Sequence, residues 1–330
     1  MRAEDLKGWL AAARQGEKER EAAVKDGGSR KDNREGAENW ARVVELIQTE
    51  FQEGELSEEN TWQAVVLIPK GEKYYRGIGL VEVMWKVVAV ILNRCFTYSI
   101  TYHNALHGFR ADRGMGTSTL EAKLLQQLAA IREEVLYVIF LDLTKVYDAL
   151  DTSRCLEILE SYGVGPGAMR LLTTYRRRLT MVAREGGHYG KYFKGDRGVT
   201  QGDPLSTTIL NVVVDAVVRH WVNGLVNEAE GKGETGREGR HQSVVFYAEN
   251  SMVVSSDPAW LQGAFSALVA IFDRVVLVTN VGKTVSMVCH PCWAGSGNRT
   301  KEAYSRRLTG WENLMRRGND REWRTRRVGR

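Results

Sequence analysis

Proline and cysteine are both scarce, with five and four copies in 330 residues. Cys95 and Cys155 stand alone among apolar neighbours, and Cys289-His290-Pro291-Cys292 is the one tract with metal-like spacing. A secreted disulfide framework is therefore excluded, and a reducing compartment is expected. That tract has no second paired motif behind it, so a zinc site is not assigned there. No stretch approaches the roughly 18 apolar residues of a spanning helix, and the first residues (Arg2, Glu4, Asp5, Lys7) do not open a signal peptide. These absences give the expectation of a soluble, intracellular protein without a membrane partner, with nucleus and cytoplasm not distinguished. Charge of one sign is also lacking. Lys and Arg number 46 against 41 Asp and Glu, a net charge of +5 that permits a polyanionic partner without demanding one.

With 43% hydrophobic and 26% charged residues, the chain has the composition of a globular protein able to bury a core without staples. Glu17 to Glu38 is highly charged and nearly free of large apolar side chains, so residues 1–39 read as a disordered segment. Trp40, Val43, Val44, Ile47 and Phe51 fall at helical spacing and open the folded body. Ala64–Pro69 and the run around Tyr75 predict a small hairpin across Gly71-Glu72-Lys73. Leu80–Asn93 is apolar on nearly every side and predicts a largely buried helix. Another helix follows Gly114-Met115-Gly116. The pattern then gives helices from Asp151 to Tyr162, after Pro166, from Asp203 to about Asn227, and from Trp260 to Val275. Val276–Val288 reads as two short strands. Met84, Trp85, Tyr98 and Tyr102 read as core packing. From Arg306 to Arg330 the chain is polar and Arg-rich, either a solvated tail or a nucleic-acid contact.

Val135–Leu143 is a β-branched, apolar run of strand length that ends in the lone carboxylate of Asp142. A strand buried on both faces has no use for an acid unless a cation or a solvent cleft lies at that end. Val244-Val245-Phe246 and Met252-Val253-Val254 bracket Tyr247-Ala248-Glu249-Asn250-Ser251, a tight hairpin with acidic and polar groups at its tip. Neighbouring strands lie about 4.8 Å apart, so a strand-end acid and a hairpin-tip acid can converge on divalent ions.

Several tracts together carry a resemblance. Phe140-Leu141-Asp142-Leu143-Thr144-Lys145-Val146-Tyr147-Asp148 resembles motif A of reverse transcriptases, and Gly198-Val199-Thr200-Gln201-Gly202-Asp203-Pro204-Leu205-Ser206 resembles their motif B. Tyr247-Ala248-Glu249-Asn250 stands where the family has Tyr-Ala-Asp-Asp, and Asn280 with Gly282-Lys283-Thr284 resembles motif D. Ile68-Pro69-Lys70, Tyr75-Arg76-Gly77-Ile78 and His107-Gly108-Phe109-Arg110 through Gly114–Thr117 resemble the fingers motifs of the non-LTR retrotransposon and group II intron branch. Order and spacing match over roughly residues 60–290.

The resemblance implies an α+β right-hand polymerase of fingers and palm, with an antiparallel palm sheet packed on helices and the thumb missing or truncated. Its boundaries fall at 40–134 for an N-terminal helix and fingers, 135–290 for the palm with interleaved fingers elements, and 291–330 for the tail. It implies an RNA-directed DNA polymerase that adds dNTPs to a DNA primer on an RNA template. The cofactor would be two Mg²⁺ ions, with Mn²⁺ as a substitute. Asp142, Glu249 and Asn250 would hold the metal, and Lys283 would assist the leaving pyrophosphate. Lys70 and Arg76 would contact the triphosphate, Tyr147 would exclude a 2′-hydroxyl, and Gln201 with Gly202 would approach the nascent base pair. Asp148 would order the turn rather than bind metal.

The hairpin tip departs from the family pattern. Glu249 keeps its charge but carries it one methylene outward, about 1.3–1.5 Å, and a misplacement of about 1 Å can cost about 100-fold in rate. Asn250 keeps a carbonyl ligand and loses a full negative charge beside the cations. Weaker metal binding is expected, and a non-catalytic nucleic-acid-binding remnant is the alternative reading. A nucleotide cyclase of palm type would share the strand acid and the hairpin, but its Gly-Gly-Asp/Glu signature is missing here.

Overall fold

Alternation in the strands and 3.6-residue spacing in the helices decide where each element turns its apolar side, and the core follows from that. The computed structural model describes residues 41–42, 44–50, 52–70, 74–185, 187–195, 197–231, 242–289 and 324–325. The charged segment 1–39, the loop at 232–241, the turn Gly71-Glu72-Lys73, the residues Trp40, Val43, Phe51, His290, Pro291 and Cys292, and nearly all of the Arg-rich tail lie outside them.

In chain order the elements are β1 Trp62–Pro69, β2 Tyr75–Val81, α1 Val83–Ser99, α2 Met115–Ile131, β3 Leu136–Asp142, α3 Val146–Ala149, α4 Thr152–Ser161 and α5 Pro166–Arg178. There follow β4 Thr180–Glu185, β5 His188–Phe193, α6 Ser206–Gly231, β6 Gln242–Tyr247, β7 Asn250–Ser255, α7 Pro258–Arg274, β8 Val285–Cys289 and β9 Arg324–Thr325. Two units emerge. One comprises Met1–Ser99, Leu156–Asp196 and Thr200–Leu205, the other Ile100–Cys155, Arg197–Val199 and Ser206–Arg330.

In the first unit a four-stranded sheet has the order β2-β1-β4-β5. The β1–β2 pair is an antiparallel hairpin running from Gln63↔Val81 to Pro69↔Tyr75, and β1 lies parallel to β4. Helix α1 starts at Val83 because Leu80 and Val81 complete β2. It buries one face, with Trp85, Val88, Ala89, Leu92 and Phe96 inside, while Val83, Val90 and Tyr98 stand in solvent. The expectation of a largely buried helix is thus corrected to a half-buried one, and Tyr98, at 79% exposure, is not a core residue. Trp85 stacks on Tyr175 with ring centroids 3.5 Å apart and planes 5° from parallel. Its indole Nε1 donates to Asp203 Oδ2 at 2.7 Å, and Leu205 N donates to Asp203 Oδ1 at 2.9 Å. Burial pushes the Asp203 carboxyl up, and these two bonds pull it back.

In the second unit the sheet order is β6-β7-β3-β8-β9, antiparallel from β6 to β8, with β9 parallel to β8. One face carries Leu136, Val138 and Val254 against Ala129 and Leu125 of α2. Ile139, Leu141 and Val253 alternate to the opposite face, where α7 packs with Leu261, Phe265, Leu268 and Phe272 fully enclosed. Each such side chain contributes about 1.5–3 kcal/mol by leaving water. Trp221 Nε1 of α6 donates to Ala264 O of α7 at 2.8 Å and ties the two helices together. Asp257 caps α7 by accepting from Ala259 N and Trp260 N, and Asp151 accepts from Arg154 N at the start of α4. Of the two strands expected in Val276–Val288, one forms, Val285–Cys289. Val276 is left-handed at φ 62°, which turns the chain away from α7, and Thr279 contributes only an isolated bridge to Leu143. No helix among the described residues is long and apolar enough to cross a membrane.

Asp203→Asn turns a donor toward one of two donors, a mismatch worth about 1–3 kcal/mol. Urea denaturation should show that loss at pH 7. Tyr102, buried near Asp215 and Arg110, has its phenol pushed up to about 12, by burial first and Asp215 second. The fold thus favours the neutral phenol. The stabilisation is complete below the unfolded value of about 10 and disappears as pH climbs through about 12. Tyr102→Phe should therefore lose less stability than the parent between pH 10 and 12, by on the order of 2 kcal/mol in the same assay.

Candidate active site

Strand β3 delivers Asp142 at its last residue, and β7 begins at Asn250 directly opposite, in the register Asp142↔Asn250. Opposed residues share a face, which here is the α2 face of Leu136 and Val138. Towards this end the face opens, and Phe140 is 40% exposed. Tyr247 pairs with Asn250, so Ala248 and Glu249 alone form the turn of the hairpin. Ala248 takes the left-handed conformation at φ 53°, and Leu143 N donates to Glu249 O at 3.3 Å.

A second turn flanks Asp142. Asn280 N donates to Asp142 O at 2.7 Å, and Thr144 N to Val278 O at 2.8 Å. Asn280 O in turn accepts from Lys283 N, Thr284 N and Thr284 Oγ1. This places Lys283 Nζ 3.4 Å from Asp142 Oδ2. That oxygen is buried and accepts no hydrogen bond, while the Lys283 side chain remains 64% exposed. An interior carboxylate oxygen with no donor on it is costly unless a cation completes it.

Tyr147 lies on the short helix α3, entered through Lys145 at φ 43°. Gly198, at φ 83°, packs so closely behind it that a Cβ would lie 2.8 Å from Tyr147 O and 2.9 Å from Asp148 Cα. Gly198 N donates to Leu150 O and Val199 N to Tyr147 O, both at 2.8 Å. Burial, and then the charge of Glu249, push the Tyr147 phenol up to about 12, so it stays neutral through the working range.

Asp142, Tyr147, Glu249, Asn250 and Lys283 are thus drawn together within the second unit. The remaining expected residues belong to the first. Gly79 N of β2 donates to Gln201 O at 2.8 Å, and Gly202, at φ 117°, approaches Gly79 O so closely that a Cβ would lie 2.5 Å from it. Arg76 is exposed on the same strand opposite Ile68, and Lys70 is exposed just past β1.

Sequence reasoning missed the supports of these groups. Asp203 lies inside motif B, but its partner Trp85 is 118 residues away. His107, buried, has Nδ1 2.9 Å from Thr117 Oγ1 and Nε2 2.9 Å from Glu121 Oε2. Asn211 on α6 and Asp215, which accepts from His103 N and Arg219 Nε, gave no signal beyond being polar in an apolar helix. Cys289 is a free thiol whose ionisation burial disfavours, and the rest of its tract lies outside the described residues.

Residues 68–312 match the family described as "Reverse transcriptase (RNA-dependent DNA polymerase)". The chain belongs to the reverse transcriptase family. Among its relatives is the retrovirus-related Pol polyprotein from type-2 retrotransposable element R2DM of Drosophila melanogaster, 25% identical over 179 residues, 54% of this chain and 17% of that protein. The Pol polyprotein from type-1 retrotransposable element R2 of Popillia japonica is 23% identical over 251 residues, 73% of this chain and 34% of its own length. That of Nasonia vitripennis is 34% identical over 108 residues, 31% and 10% respectively. The alignments thus take in about a third or less of these relatives' lengths. Telomerase of Candida tropicalis shares the fold. Its complex with a TWJ fragment of telomeric RNA superposes with a TM-score of 0.52 at 14% identity, over 78% of this chain and 45% of that one. Its apo form truncated of the C-terminal domain gives 0.53 at 15%, over 79% and 56%.

Reverse transcriptases work with divalent metals, and the oxygens of Asp142, Glu249 and Asn250 are the hard donors such ions take. Asp142 Oδ2, buried, without a hydrogen bond and already drawing the Lys283 ammonium to 3.4 Å, fits a cation. Among the described residues no cluster of three or more His, Cys, Asp or Glu is arranged for one, and Asp142, Glu249 and Asn250 bring two carboxylates and a neutral amide. Lys283 competes for the same oxygen. A unit charge at about 4 Å is worth about 1 kcal/mol even in water. Lys283→Ala should therefore tighten Mn²⁺ binding by about threefold to tenfold in a calorimetric titration of the free protein.

Proposed function

We propose that the chain carries the RNA-directed DNA polymerase activity of a non-LTR retroelement, joining dNTPs to the 3′-hydroxyl of a DNA primer along an RNA template. The observation that carries this reading is the strand-end Asp142, whose buried oxygen lacks a hydrogen bond and which faces a hairpin tip bearing Glu249 and Asn250. Asp142 and Glu249 would hold two Mg²⁺ ions, or Mn²⁺ in their place, with Asn250 adding a carbonyl oxygen, and the bound ions would supply the charge for activating the hydroxyl and steadying the departing pyrophosphate. Lys283, released from Asp142, neutralises or protonates the pyrophosphate. Tyr147 stacks beneath the incoming sugar, and its neutral phenol leaves no room for a 2′-hydroxyl. Arg76 supplies paired donors to the triphosphate and Lys70 a point charge. The glycine contact that brings Gln201 against β2 supports a loop able to lie close to a base pair. Template would be held through its backbone and its A-form shape rather than by reading sequence.

A second reading has its own observation. Opposite Asp142 stands the uncharged Asn250, and an ammonium already sits beside the carboxylate. A domain that binds nucleic acid without polymerising would show both. Primer extension on an RNA template with Mg²⁺ or Mn²⁺ separates the two. Extension by the parent chain that Asp142→Ala abolishes supports the polymerase. Extension only after Glu249→Asp and Asn250→Asp are introduced together supports binding without chemistry. Extension that survives Asp142→Ala would falsify the assignment of the site.

A further inference from the structure

The hairpin tip that carries Glu249 and Asn250 is held from a side that none of the catalytic motifs supplies. Residues from Ala105 to Gly108 run along the outer edge of β6: Phe246 N donates to Ala105 O at 2.7 Å, His107 N donates to Phe246 O at 2.8 Å, and Leu106 forms a parallel bridge with Phe246. The next residue, Gly108, meets the turn itself. A Cβ there would lie 2.6 Å from Ala248 N and 3.4 Å from both Ala248 Cα and Tyr247 C. These are backbone atoms, which cannot rotate aside as a side chain would. Gly108 is not left-handed, so space alone, and not backbone conformation, requires glycine.

Gly108 is itself clamped. Buried Asn211 of α6 donates Nδ2 to Gly108 O at 2.7 Å and to Phe109 O at 3.5 Å. Arg110 closes the loop by donating to His103 O and Leu106 O, and the His107 ring is fixed between Thr117 and Glu121. On its other side the turn has the longer bond from Leu143 N to Glu249 O, at 3.3 Å, beyond the usual N–H···O range and therefore weak. The firm side is the Gly108 side.

Resting on the polymerase reading above, we propose that Gly108, clamped by Asn211, is a positioning element whose backbone contact with Ala248 sets how far the Glu249–Asn250 tip stands from Asp142. It touches neither substrate nor metal. An added methyl group pushes the tip, and loss of the Asn211 donor lets the stop itself drift.

The test uses the full chain with Gly108→Ala and, as a second variant, Asn211→Ala, which removes the donor without placing a charge among buried carbonyls. Hydrogen exchange should be about tenfold faster at the Leu143 amide and at residues 248–250 in both variants, with the amides of Ile139 and Val253 unchanged. In primer extension kcat should fall about 10- to 100-fold while the KM for dNTP stays within about twofold, because the chemistry moves and the nucleotide contacts do not. Unchanged exchange at Leu143 overturns the proposal. So does faster exchange along the whole β3–β7 ladder in both variants, since the role is then in folding, and so does a rise in KM with kcat intact. If the parent chain extends no primer, the polymerase reading fails on its own, and exchange at Leu143 still decides whether Gly108 places the tip.

Discussion

The antiparallel register of β3 against β7 is the constraint on which the site depends. Shifting it by one residue would send Asp142 and Asn250 to opposite faces of the sheet and would part Val253 from Ile139 and Leu141, with which it shares the α7 core. The same hydrophobic burial that stabilises the second unit therefore fixes where the acid meets the hairpin. No separate device is needed to bring them together. What remains adjustable is finer: the Asn280 turn bonded to Asp142 O, and the Gly108 stop behind Ala248.

Electrostatics then decides what this geometry does. An aspartate oxygen is withheld from solvent without a hydrogen bond, which is unfavourable until a positive charge reaches it. Lys283 partly meets that need from an exposed position 3.4 Å away, and a flexible ammonium can leave as readily as it came. The apo site is thereby kept from accumulating uncompensated charge. Tyr147, held neutral by burial and by Glu249, adds bulk beside the site without adding charge.

Much of this was legible in the sequence, for identifiable reasons. The β3 run, the hairpin around Tyr247–Asn250, the helix opened by Pro166 and the helix from Trp260 are local, being written in alternation, turn residues and apolar spacing within a few positions of each other. The motif order placed Asp142, Tyr147, Glu249, Asn250 and Lys283 on one list before their meeting in one unit could be seen. What did not read out was long-range or conformational. Trp85 and Asp203 bond across 118 residues, and Asn211 and Gly108 across 103. The failed strand after α7 turned on a left-handed Val276, an unusual state for a β-branched residue that no propensity predicts. Helix α1 looked buried all round because Val83, Val90 and Tyr98 are apolar or aromatic, yet they face water.

The turn at the hairpin tip is tied down through main-chain atoms: Leu143 N bonds the carbonyl of Glu249, Tyr247 and Asn250 are paired as strand residues, and Gly108 abuts the backbone of Ala248. Side chains at 249 and 250 take no part in any of these attachments. The main-chain path of the turn is accordingly independent of which acids or amides stand there. What the side chains at these two positions change is the charge set opposite Asp142, so selection on them acts through electrostatics and chemistry rather than through the shape of the turn.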